Sequence, residues 1–204
     1  MPTQPWNKDM QADFSVELGA DDHCLEMPWS SPDGQMRFLD LRAKPELLLE
    51  VAETHDNQEL AEFLTVLNQA GSHVQTAKCD TWLTNELDAE DEIFGALWKF
   101  GSYVDFFFVD RARQTKLAEY EEFAATLNAM LQKVPDFAAA TDLVLRRCYY
   151  HRDDYPPDKS DDGYCLTFYL NGYGDDEDGA KKSWSIGLKL VQNAVMQMSA
   201  RRKG

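Results

Sequence analysis

Residues 59–68 (ELAEFLTVLN) and residues 119–128 (EYEEFAATLN) are two similar stretches, and they decide the predicted fold. Both carry the same residue at five positions: two Glu, one Phe, one Leu and one Asn. Each stretch is followed by a β-prone segment with a cysteine (AKCDTW, LRRCYY), an acidic loop and an aromatic strand. The pattern predicts a duplicated helix–strand–strand unit. The alternative, a chance likeness between two amphipathic helices, stays open.

The order of helical and β-prone segments around these stretches predicts an α+β fold, with helices packed on a mixed sheet of four or more strands. Residues 1–22 are polar and predict an irregular N-terminal arm, followed by a single domain over 23–204. The repeat units span 57–110 and 114–174. A closing helix is expected at 183–200, where apolar residues recur at helical spacing.

Smaller signals predict local structure and strand direction. The Pro-Asp-Gly sequence at 32–34 is a turn signal and predicts a short hairpin within 24–42. Pro45 is expected at the first position of a helix over 44–54. If the helix near 114–134 is the crossover of a βαβ unit, the strands at 96–109 and 141–152 run parallel.

Composition limits the function classes. The 204 residues carry 36 acidic and 20 basic side chains, a formal net charge of −16. This charge disfavours binding to nucleic acid and to anionic membranes, and it favours a basic partner. Four widely spaced cysteines without an export signal predict reduced thiols and a cytoplasmic location.

The negative charge is concentrated in three runs, 86–92, 153–162 and 175–178. They hold fourteen acids and one base, Lys159, so their net charge of −13 is most of the total. From the predicted strand directions, 86–92 and 175–178 should meet at one end of the sheet, and 153–162 should lie at the other. The residues expected to bind a partner there are Glu86, Asp88, Glu90, Asp91, Glu92, Asp175, Asp176, Glu177 and Asp178.

The stretch HRDDYPPDKSDDG (151–163) has two interpretations. Its Asp, Pro-Pro and Gly163 are typical of a polar hairpin tip. The alternative is a site for a small ligand, acid–base chemistry or a divalent cation, built from His151, Asp153 and Cys148. No HExxH or CxxC spacing accompanies these residues, so no cofactor or metal is expected.

A calcium loop in GDDEDGAKKSW (174–184) is disfavoured, because the EF-hand register places Gly174 at position 1 and Ser185 at position 12. The interpretation favoured instead is a cluster of acids near the start of the closing helix. Taken together, these patterns predict a non-catalytic protein that binds a basic protein partner through acidic loops. A ligand-binding protein or enzyme with a site near His151 is the alternative.

Overall fold

The computed structural model describes residues 9–88, 91–153, 156 and 159–201, with the backbone alone for 92 and 93. It confirms the α+β class, with a six-stranded mixed sheet and a long C-terminal helix. The strands are β1 (Gln11–Glu17), β2 (Cys24–Met27), β3 (Val74–Thr84), β4 (Trp98–Phe108), β5 (Ala139–His151) and β6 (Ser160–Gly174). The helices are α1 (Gln58–Asn68), α2 (Arg111–Gln114), α3 (Leu117–Leu131) and α4 (Glu177–Arg201), with short 3₁₀ turns at Pro45–Glu50, Ala52–Thr54 and Asp91–Phe94.

The sheet order is β1-β5-β6-β4-β3, and β2 also pairs with β5. The order helix–strand–strand occurs twice, as α1-β3-β4 and as α3-β5-β6. The two hairpins join through their second strands, β4 and β6, which pair antiparallel. Strands β4 and β5 therefore run in the same direction, as predicted, with β6 between them.

One face of the sheet carries the main core. The three longer helices pack on it, and α4 lies over the central strands β4 and β6. Burial explains the strongest sequence signals: Leu60, Phe63, Leu64 and Leu67 form the buried stripe of α1, and the VDFFF run of β4 is buried at every position. Helix α4 lies close to the backbone of β6 where the two cross: a Cβ at Gly172 would lie 2.1 Å from the Trp184 backbone nitrogen.

The prediction of an irregular arm over 1–22 is wrong for residues 11–17. They form β1, which runs parallel to β5 with Gln11 opposite Ala140. Met10 and Ala12 are buried, and Phe14 packs on the core. Such a short apolar alternation at a sheet edge is weak in the sequence, because half of the strand faces solvent.

The predicted hairpin within 24–42 is only partly correct. Its turn forms, with Gly34 at φ 71° and its N–H donating to the Ser31 carbonyl at 2.8 Å. However, Cys24–Met27 pairs in parallel with β5 rather than with 35–42, and one bridge, Ser30 to Arg37, joins the two arms.

The predicted boundaries of two helices also differ from the structure. Residues 45–54 form two 3₁₀ turns rather than one α-helix, although Pro45 does begin the first. Helix α4 begins at Glu177, six residues before the predicted start. The Asp176 carboxylate accepts a hydrogen bond from the Gly179 N–H at 2.7 Å and so caps this end.

Candidate functional site

Two acidic segments that are far apart in sequence meet at one end of the sheet. The β3–β4 connection and the residues after β6 lie together because Trp98, at the start of β4, is opposite Gly174, at the end of β6. The Leu97 N–H donates to the Gly174 carbonyl at 3.1 Å. The β5–β6 connection follows His151, which pairs with Ser160 at the opposite end of the sheet. The predicted separation is therefore confirmed for the described residues of the three acidic runs.

Six carboxylates are exposed at this end, and we call them the acidic rim. They are Glu86, Asp88, Asp175, Asp176, Glu177 and Asp178. In the second turn of α4, Lys181 donates to the Asp56 carbonyl at 2.8 Å, whereas Lys182 is exposed. Of the other residues predicted here, Glu90 lies outside the described residues, as does the side chain of Glu92.

Asp91 has a different position from that expected of a partner-binding residue. Its side chain is buried, and it accepts hydrogen bonds from the Lys99 ammonium and the Tyr173 hydroxyl. Burial alone would raise the pKa of Asp91, but these two hydrogen bonds, a third from the Asp88 N–H and the positive charge on Lys99 together outweigh it and lower the pKa. Asp91 is therefore an internal anchor that fixes the acidic connection to the sheet.

Aromatic packing supports the same anchor. Phe94 stacks on Tyr173 with ring centroids 4.2 Å apart, and Phe94 is buried. Tyr173 lies opposite Lys99 on neighbouring strands. The short 3₁₀ turn Asp91–Phe94 is thus held at both ends, by a buried ion pair and by a ring contact, and Asp88 before it is positioned relative to β6.

The structure does not assemble the alternative site at His151, Asp153 and Cys148. Side chains of a strand alternate between its two faces, so Cys148 and His151, three residues apart, point in opposite directions. Cys148 is fully buried, whereas the His151 side chain is 39% exposed and lies 3.6 Å from the Glu26 carboxylate. Asp153 is exposed in the turn after β5.

The hairpin-tip interpretation fits the residues that are described there. Arg152 pairs with Asp161 at 3.2 Å across the two strands, and it also donates to the Gln114 side chain at 2.6 Å. Cys148 belongs to a small second core on the sheet face opposite the helices, with Leu25 and Cys165. Asp154 and Asp158 lie outside the described residues.

Asp105 is a buried carboxyl that the sequence analysis did not single out. It lies in β4, is 6% exposed and accepts a hydrogen bond from the Thr167 hydroxyl at 2.6 Å. Burial raises its pKa, against the opposing effects of the Thr167 hydrogen bond and of the positive charges on Lys78 and Arg146. An aspartate inside the otherwise apolar run VDFFF was the signal that could have identified it.

A cavity of about 410 Å³ lies beside β3 and was also missed. We call it the edge cavity. Its lining comes from segments that are separate in sequence: residues 34–37, residues 50–53 and residues 76–80, with Trp29, Leu39, Leu41, Leu64 and Tyr103. Its size is typical of ligand sites. No short motif could predict it, because the tertiary fold brings its walls together.

Comparison of the chain with protein-family models, with curated proteins and with solved structures finds no significant match. In the part of the chain that the structure describes, no helix has both the length and the apolarity needed to cross a membrane. Across those same residues, no three His, Cys, Asp or Glu side chains are grouped so that they could hold a metal ion. All four cysteines are free thiols.

Proposed function

We propose that the chain is a non-catalytic binding protein that engages a basic protein partner through the acidic rim. The observation that carries this proposal is the convergence of two separate acidic runs at one end of the sheet, where six carboxylates are exposed. Charge of one sign concentrated on a surface steers an oppositely charged partner and accelerates its association.

The anchor under the rim adds a second argument. A binding surface costs less conformational entropy on association if its groups are already held in place. Asp91, bonded to Lys99 and Tyr173, holds the β3–β4 connection, and Asp176 fixes the start of α4. The five other carboxylates of the rim are left for a partner.

The test is capture of proteins from lysate of the source organism at low and at high salt, with quantitative mass spectrometry. The rim variant carries Glu86→Gln, Asp88→Asn, Asp175→Asn and Glu177→Gln. It retains Asp176, which caps α4. The matched control neutralises four exposed carboxylates away from the rim: Asp21→Asn, Glu26→Gln, Glu121→Gln and Asp162→Asn.

We expect a basic protein that wild type and the control variant retain at low salt, and that the rim variant and high salt release. With the captured protein purified, its association rate should fall about tenfold in the rim variant at low ionic strength. Equal capture by the rim variant and the control variant would refute the proposal, as would an association rate that does not change with salt.

A further inference from the structure

The edge cavity runs along the main chain of β3. Five consecutive residues, Thr76 to Asp80, line it. Successive side chains of a strand point to opposite faces, so five consecutive residues can border one cavity only at the edge of the strand. The floor of the cavity is therefore the free edge of the sheet.

No second strand covers this edge in the part of the chain that the structure describes. β3 is the last strand of the sheet, and among the described residues β4 is the only strand that pairs with it. The register shifts between Thr76 and Lys78, and the Ala77 carbonyl accepts a hydrogen bond from the Trp29 indole N–H at 2.8 Å. Because Trp29 also lines the cavity, this carbonyl faces the cavity rather than β4. The Thr76 N–H donates to the Asn68 side-chain oxygen at 3.1 Å. Side chains thus engage these two groups, so an added strand would pair with the edge from Lys78 onward. An unpaired edge of this kind is a template for an added strand.

The walls favour a single extended segment over a second copy of this chain. Residues 34–37 and residues 50–53 border the cavity beside the strand. In a second copy β3 lies at the bottom of the same cavity, so two such edges could pair only if the walls of both copies moved. A narrow peptide segment needs no such movement.

Charge and apolar contacts indicate the chemistry of that segment. The cavity is lined by three acidic residues, Glu50, Glu53 and Asp80, and by two basic ones, Arg37 and Lys78. Of these, Lys78 has its ammonium 5.5 Å from the ring centroid of Trp29 and 5.6 Å from that of Tyr103, so its charge is already engaged. The pKa of the neighbouring Cys79 thiol is consistent with negative charge around the cavity. Burial raises this pKa to about 12, and the negative charges on Glu53, Asp80 and Asp105 add to the increase.

The apolar surface continues along the same edge. Met36, which lines the cavity, is 58% exposed, and Leu83, further along β3, is 41% exposed. After Leu83 the strand leads to Glu86 and Asp88 of the acidic rim. A segment lying along β3 would therefore reach the rim with its next residues.

We infer that an extended segment of the basic partner, in which apolar residues alternate with Lys or Arg, adds to the sheet along β3 at residues 78–80. This inference rests on the proposed function and assigns it a second, backbone-mediated contact. Main-chain hydrogen bonds supply affinity in strand addition, and the alternating side chains supply specificity.

The experiment uses a displayed library of random nonapeptides, selected in parallel on three proteins. These are wild type, Ala52→Trp, which fills the cavity from an exposed position, and Ala43→Trp, an exposed control outside it. Wild type and Ala43→Trp should enrich peptides that alternate apolar and basic residues, and Ala52→Trp should not. An enriched peptide, once labelled, should bind Ala52→Trp about tenfold more weakly than it binds Ala43→Trp.

Backbone pairing is then separated from charge attraction. Methylation of alternate backbone nitrogens of the enriched peptide retains its charge and removes its donors, so binding should weaken at least about tenfold. Equal binding of the methylated peptide, or the same enriched peptides on wild type and Ala52→Trp, would overturn the inference. A wild-type dimer that Ala52→Trp converts to a monomer in sedimentation would overturn it in favour of a second copy of the chain.

The peptide selection and the lysate capture together distinguish the two proposals. If the peptide binds wild type in the cavity while lysate capture shows no rim-dependent partner, the proposed function fails and the edge site stands. If a rim-dependent partner is captured and no peptide depends on the cavity, the edge site fails and the proposed function stands.

Discussion

Substitution of Gly172 by alanine should push α4 slightly away from the sheet and destabilise the fold. A Cβ at this position would lie 2.1 Å from the Trp184 backbone nitrogen and 2.6 Å from the Ala180 carbonyl oxygen. Both neighbours are backbone atoms of one helix, so neither can turn aside. To reach an ordinary contact of 3.4 Å, the helix must retreat by about 1.3 Å, the difference between that distance and 2.1 Å.

That displacement acts on a fully buried part of the core. The Trp184 ring is fully buried, lies 4.6 Å from the Phe100 ring and donates its indole N–H to the Ser102 hydroxyl at 2.8 Å. Overpacking of this kind costs roughly 1–3 kcal/mol, and with rigid neighbours we expect about 3 kcal/mol. For a chain of this size the melting temperature should fall by roughly 6–12 °C.

The measurement is urea unfolding of wild type, Gly172→Ala and Gly71→Ala, with the free energy of unfolding extrapolated to water. Gly71→Ala is the matched control, since its added methyl meets only the terminal carbon of Met196, at 3.6 Å. It should change the free energy of unfolding by less than about 0.5 kcal/mol. If Gly172→Ala were no less stable than Gly71→Ala, the argument from backbone contact would be wrong.

Three further predictions concern titratable groups that are buried or partly buried. The pKa of Asp91 is lowered in the folded state, so the stabilisation by its carboxylate is present above the unfolded pKa of about 3.9 and is lost as the pH falls through the folded value. Asp91→Asn should therefore lose more stability at pH 6 than at pH 3. An equal loss at both pH values would contradict the role of Asp91 as an anchor. Asp105 has the opposite sign, because its raised pKa means that stability is highest below the unfolded pKa and falls as the pH rises through the folded value. Asp105→Asn should therefore remove a loss of stability between pH 4 and pH 7, as followed by thermal unfolding, and an unchanged pH profile would refute this. With its pKa raised to about 12, Cys79 should react with a thiol reagent at pH 8 at least about 100-fold more slowly in the folded chain than in guanidinium, with Cys79→Ser identifying its signal.

The candidate site was predictable in its location but not in its detail. Strand directions alone placed the runs 86–92 and 175–178 together, because a hairpin and a crossover constrain which strand ends meet. From the sequence, Asp91 was predicted to bind a partner, like the exposed acids around it. Its burial depends on Lys99 and Tyr173, and Tyr173 is 82 residues away in the chain.

Elements with strong periodicity were predictable from the amino-acid sequence alone. Local spacing, over a few residues, predicts which side of a helix or strand is buried. It accounts for the apolar stripes of α1 and α3 and the buried run of β4, and the turn at Gly34 is local in the same way. The repeated order of helix, strand and strand followed from the same local signals, and with it the α+β class.

The pairing of segments that are far apart in the sequence became clear only from the tertiary structure. β1 and β2 pair with β5, which is more than a hundred residues away in the chain. The sequences of β1 and β2 are too short and too polar to predict this pairing. The edge cavity and the burial of Asp105 arise in the same way, from walls and partners that other elements supply. The physical reason is that periodicity records whether a residue is buried, whereas the identity of what buries it is a property of the assembled fold.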